Sequence, residues 1–132
     1  MNTKLRKVLI AEDDLSLKPI WEEFFSRLNG NFSLQWTVSC EEALKILEKA
    51  VSERNEFDLI ISDIFLAGSG TGMELLNSPL LEGTQAKRLL ISAVDRDQIL
   101  EEYADLTENI EVISKPFNGK LYEPIITGLL SL

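Results

Sequence analysis

Histidine is absent from the 132 residues, and cysteine occurs once, as Cys40. Without an imidazole the chain has no Ser-His-Asp or Cys-His nucleophile system and no histidine metal site, and it cannot itself carry phosphohistidine. A lone cysteine forms neither an internal disulfide nor a zinc cluster. Basic residues are in deficit: 13 against 22 acids leaves a net charge of −9, which repels a polyphosphate backbone and an anionic membrane alike. Nucleic-acid binding by this domain is therefore not expected. No spanning or signal-type apolar run of about 18 residues occurs either, so no membrane association is expected and the cytoplasm is the expected compartment. The chemistry that remains must come from carboxylates, lysine and hydroxyls.

What is present suits one soluble globular domain over residues 1–132, with 45% hydrophobic and 27% charged residues and no repeat or low-complexity stretch. Short apolar runs alternate with amphipathic segments. Val8-Leu9-Ile10-Ala11 is too short for a helix and ends at the acids Glu12-Asp13-Asp14. Trp21, Phe24, Phe25 and Leu28 then follow at helical spacing, with Ser16 as N-cap and Pro19 in the first turn. Phe32, Leu34, Trp36 and Val38 alternate like a half-buried strand. Ser39-Cys40-Glu41-Glu42 has the form of a capping box and opens a second helix.

Phe57 to Ser62 is a third strand followed by Asp63, and a Gly-rich stretch, Gly68 to Gly72, leads into the short helix Met73-Glu74-Leu75-Leu76. Arg88 to Ile91 is the fourth strand, ending at Ser92, and Asp95 caps a helix carrying Ile99, Leu100, Tyr103 and Leu106. Ile110 to Ile113 is the fifth strand, reaching Ser114-Lys115-Pro116. The last helix contains Pro124 and Gly128, so it is expected to start late or kink. Five strands, each joined to the next by a helix, predict a doubly wound five-stranded parallel sheet, a (βα)5 flavodoxin-like α/β sandwich.

Ligands of such sheets bind at the carboxyl ends of the strands. There the sequence places Glu12 and Asp13, Asp63, Ser92 and Lys115. Three converging carboxylates require a cation, and an all-oxygen site suits Mg²⁺. With a lysine and a hydroxyl opposite, the set describes phosphoryl transfer onto a carboxylate. Taken singly, Glu12-Asp13 is as well explained by a solvated helix start. The Gly-rich loop lacks the Gly-Lys-Ser/Thr of a phosphate cradle and reads as a flexible connection. The aromatic residues have core spacing, and Cys40 reads as a helix-start residue without redox work.

The segments Val8 to Asp14, Asp58 to Leu66, Leu90-Ile91-Ser92-Ala93 and Lys115-Pro116-Phe117, in that order, resemble the receiver domain of two-component response regulators. The resemblance covers essentially the whole chain. It implies that Asp63 accepts phosphate from a sensor histidine kinase or phosphotransfer protein. It further implies that Glu12, Asp13, Asp63 and the Phe65 carbonyl hold Mg²⁺, that Ser92 and Lys115 bind the phosphoryl group, and that Lys115-Pro116 is cis. The chain departs from the family pattern at three places. Ala67 and Gly72 stand in a loop one residue longer than usual, which is expected to be more mobile. Val112 replaces the aromatic switch residue, and Ala104 to Thr107 replaces a Gly-Ala pair.

Residues 95–111 hold seven acids and one base, −6 of the total −9, which favours a basic downstream protein target over a like copy. The competing reading is a degenerate receiver that binds partners without phosphorylation. An aspartate-nucleophile phosphohydrolase would need an acid two residues after Asp63, where Phe65 stands, so no enzymatic turnover is expected beyond slow self-dephosphorylation.

Overall fold

The computed structural model describes residues 4–132. Its elements run β1 (Leu5–Ala11), α1 (Lys18–Ser26), β2 (Asn31–Thr37), α2 (Cys40–Ser52), β3 (Leu59–Ser62), α3 (Gly72–Leu76), β4 (Lys87–Ser92), α4 (Arg96–Glu102), β5 (Glu111–Ser114) and α5 (Gly119–Leu129). The five strands form one all-parallel sheet in the order β2-β1-β3-β4-β5, as the alternating apolar runs require.

Strand alternation sends successive side chains to opposite faces, and each face buries its own cluster. Val8, Ile10, Leu59, Ile61, Leu89, Ile91 and Ile113 meet Trp21, Phe24 and Phe25 of α1 and Ile126 of α5. On the other side Leu9, Ala11, Ile60, Leu90 and Val112 meet Ala43 and Leu47 of α2, Leu75 and Leu76 of α3, and Ile99 of α4. The strand order reverses between β1 and β3, where Ala11 is in register with Ser62. The next residues, Glu12 and Asp63, therefore leave the sheet side by side.

The helix starts show where local hydrogen bonding overrides periodicity. Ser16 does not cap α1. Asp14 accepts from the Ser16 amide and hydroxyl and caps a one-turn 3-10 helix, Leu15–Leu17, that precedes α1. With its amide and hydroxyl both donating back to Asp14, Ser16 lies inside that turn, and the N-cap of α1 falls to Leu17, which makes no side-chain capping bond. Ser39 caps α2 as expected, accepting from the Glu42 amide at 3.1 Å. Asp95 stands at the N-cap of α4 but its side chain makes no capping bond. That helix ends at Glu102, short of Leu106, with acids and no base in its last turn, where the macrodipole favours cations. Helix α5 starts at Gly119, capped by Asn118, and runs through Pro124 without a break.

Candidate phosphoacceptor site

The carboxyl edge of the sheet brings Glu12, Asp63 and Lys115 into contact. The Lys115 amide donates to the Ser92 carbonyl at 2.8 Å, prolonging the β4–β5 ladder by one bond, and the Lys115-Pro116 bond is cis. Its ammonium then reaches across the strand ends. Lys115 Nζ lies 2.7 Å from Asp63 Oδ2, as a hydrogen bond, and 2.6 Å from Glu12 Oε1, as an ion pair without an aligned N–H. Glu12 and Asp63 are 2% and 7% exposed, so this is a charge triad at the edge of a low-dielectric interior.

Burial pushes the Glu12 carboxyl above the ordinary range, and the Asp63 charge adds to that; Lys115 and the Asp14 amide pull the other way. For Lys115 burial works against the charge, but hydrogen bonds and Coulomb attraction from Asp63 and Glu12 outweigh it and raise its pKa. The lysine is thus a fixed cation. Asp63 Oδ1 is buried with no hydrogen-bond donor among the described residues, whereas Glu12 Oε1 has the Lys115 ammonium 2.6 Å away. An orphaned acceptor of this kind is costly and marks a place where a cation or a donor-rich group fits.

The remaining expected site residues are placed less directly. Ser92 is fully buried at the end of β4, and its Oγ accepts from the Val94 amide at 3.2 Å. Asp13 is exposed, and Phe65 is 65% exposed. Among the described residues no three carboxylates gather closely enough to hold a metal ion. The expected cluster is met only by its two buried members, because Lys115 draws Glu12 and Asp63 to itself while Asp13 faces solvent.

Three supporting contacts were invisible in the sequence. Glu41 Oε1 accepts from Ser69 N (3.1 Å), Ser69 Oγ (2.8 Å) and Gly70 N (2.8 Å), and these bonds, the Ser69 hydroxyl foremost, hold its carboxyl down to about 2. The Gly-rich loop is therefore fastened to α2, contrary to the expectation of a loose connection; the carboxylate absorbs its free amides. At its end Gly72 donates to the Ile64 carbonyl at 2.8 Å, and a Cβ there would lie 1.7 Å from the Asp63 carbonyl oxygen. Only glycine allows α3 to start so close to the end of β3. Finally, Arg96 Nε donates to the Val112 carbonyl at 2.9 Å, tying α4 to β5 at the position where the resemblance expects an aromatic ring.

The same arrangement of elements recurs in solved structures. A signal receiver domain of an HD domain-containing protein from Pseudomonas fluorescens superposes with TM-score 0.79 at 18% identity, covering 99% of this chain and 90% of that one. A response regulator receiver protein from Sinorhizobium medicae gives 0.77 at 15% identity, covering 98% of each. The phosphorylated cyanobacterial phytochrome response regulator RcpA gives 0.72 at 19% identity, covering 96% and 91%. The chain has the receiver fold. No family model and no curated protein matches the sequence, so the likeness rests on three-dimensional structure. In the receiver fold Glu12, Asp63 and Lys115 fall at the ends of β1, β3 and β5, where the sequence reading placed them. No helix among the described residues is long and apolar enough to cross a membrane.

Proposed function

We propose that the chain is a two-component signalling receiver in which Asp63 accepts a phosphoryl group from a phosphohistidine of a sensor kinase or phosphotransfer protein, and that phosphorylation switches partner binding. The observation that carries this reading is the Lys115 ammonium held 2.7 Å from Asp63 while the second Asp63 oxygen stays unpartnered. That oxygen attacks phosphorus in line: the new O–P bond forms as the donor's N–P bond breaks, and the imidazole leaves with the electron pair and picks up a proton. Lys115 and the Ser92 hydroxyl then face the phosphoryl oxygens.

The buried Asp63 oxygen that lacks a donor would anchor a hard divalent cation such as Mg²⁺, with Glu12, the exposed Asp13 and the Phe65 carbonyl completing an all-oxygen set around it. When bound, the ion supplies charge compensation for the incoming phosphoryl oxygens. Phe65 offers no general acid, so the phosphoryl group is lost only slowly, by self-dephosphorylation. That RcpA is a receiver solved in phosphorylated form supports the reading.

A small phosphodonor with Mg²⁺ should give a one-phosphoryl adduct by intact mass, lost in Asp63→Asn and on chelation of the metal. An unchanged adduct in Asp63→Asn refutes the assignment. A second reading, a receiver that binds partners without phosphorylation, is favoured by Val112, buried and with its carbonyl held by Arg96; a chain that takes up no phosphoryl group at all decides for it.

A further inference from the structure

A groove of about 590 Å³ runs between α2, α3 and the segment after α4, distinct from the Glu12-Asp63-Lys115 edge. Its apolar lining comes from Leu44, Ile64, Phe65, Met73, Tyr103 and Leu106. Phe65 and Leu106 are 65% and 44% exposed, so neither ring nor isobutyl group is spent on the core. An exposed aromatic beside a hydrophobic trough is the composition of an anchoring site. The charge around it is mostly negative, with Lys45 beside Leu44 the exception. Glu74 is the single charged residue in the lining, and Glu102, Asp105 and Glu108, all exposed, flank Tyr103 and Leu106.

We infer that this groove docks a basic amphipathic helix of a partner protein, its apolar side chains seated on Phe65, Met73 and Leu106 and its Lys or Arg residues facing Glu74 and the acids after α4. Charge complementarity selects this occupant: a second copy of the chain brings −9 to an already acidic rim, and an acidic segment is repelled outright. A helix suits the trough because residues at i, i+3, i+4 and i+7 present one apolar stripe between flanking cations. Phe65 follows Asp63 by two positions and Tyr103 and Leu106 belong to the segment after α4, so phosphorylation of Asp63 changes the affinity of the groove without creating it.

The full chain is immobilised and screened against a display library of random peptides of about 16 residues, enough for about four helical turns. Enriched peptides should combine helically spaced apolar residues with Lys and Arg. Titrated into the isotope-labelled chain, they should shift the amides of Phe65, of residues 73–77 and of residues 103–106. Leu106→Ser and Glu74→Lys should each weaken binding by roughly tenfold or more, with unchanged thermal midpoints because both side chains are exposed. Acidic or charge-free enriched peptides, no enrichment, shifts mapping elsewhere, or undiminished binding by both variants would each overturn the proposal. Concentration-dependent shifts of the same amides in the peptide-free chain would overturn it in favour of a second copy. None of these outcomes touches the mass adduct on Asp63, so the two readings fail separately.

Discussion

The two faces of the sheet are built from different material. Under α1 and α5 the core is aromatic: Trp21 and Phe117 pack tilted with ring centroids 4.2 Å apart, and Phe24 meets Phe25 and Phe117 edge to face at 5.2 and 5.1 Å. Tyr122 of α5 also donates to the Ser114 carbonyl at 2.9 Å, so this cluster grips β5 and the Pro116-Phe117 turn just beside Lys115. Under α2, α3 and α4 the core is aliphatic, with Phe57 its one fully buried ring, and α3 and α4 are five and seven residues long. Short helices hold few backbone bonds and open at low cost. The aromatic cluster packs around the turn that carries the lysine, whereas α4 on the aliphatic face is joined to β5 by the Arg96 to Val112 bond.

Removing the ring at the centre of the aromatic cluster should have the largest effect. Trp21→Ala, at a side chain 1% exposed, should cost about 3–5 kcal/mol in urea melts, whereas Tyr103→Ala, half-buried on the aliphatic face, should cost about 1 kcal/mol. Equal losses would erase the contrast.

Lys115→Met comes next. It leaves Glu12 and Asp63 buried with like charge, and after discounting for a lysine side chain 19% exposed it should cost about 2 kcal/mol near neutral pH. In the variant Glu12, whose pKa burial already raises, loses the lysine that pulled it down, so the deficit is present at neutral pH and shrinks as pH falls and Glu12 protonates. In the parent chain the raised Lys115 pKa gives stabilisation that is full below about 10.5 and is lost only as pH rises through the higher folded value.

The smallest effect belongs to the loop clasp. Glu41 has a folded pKa of about 2 against 4.5, so its contribution is present above 4.5 and disappears as pH falls toward 2. Glu41→Gln should flatten that acid limb in pH-dependent melts and speed amide exchange at Ser69 and Gly70 while leaving Trp21 fluorescence unchanged. An unaltered acid limb would show that the clasp does not hold the loop.

Much of this was legible in the sequence, for a reason visible in particular residues. The runs ending at Ala11, Ser62, Ile91 and Ile113 are apolar on both faces, which fixes a covered parallel sheet and sends whatever follows each run to one edge. Glu12, Asp63 and Lys115 could thus be grouped before any contact was known. Competing short-range donors were harder to weigh: Asp14 displaced Ser16 as a cap, and α4 stopped short of Leu106. Contacts such as Glu41 to Ser69 and Arg96 to Val112 join residues 28 and 16 apart and leave no periodic trace. A glycine-rich loop reads as loose until the carboxylate that collects its amides is in view.

We propose that a phosphoryl group on Asp63 moves the aliphatic face and leaves the aromatic one in place. Amide hydrogen exchange with and without beryllofluoride and Mg²⁺ tests it most directly. We predict altered exchange across residues 93–106 and the Gly-rich loop, little change in α1 and α5, loss of the difference in Ser92→Ala, and its persistence in Val112→Ala, since valine has one stiff torsion and no ring to swing. Unchanged exchange across residues 93–106, or a difference abolished as completely by Val112→Ala as by Ser92→Ala, would contradict it.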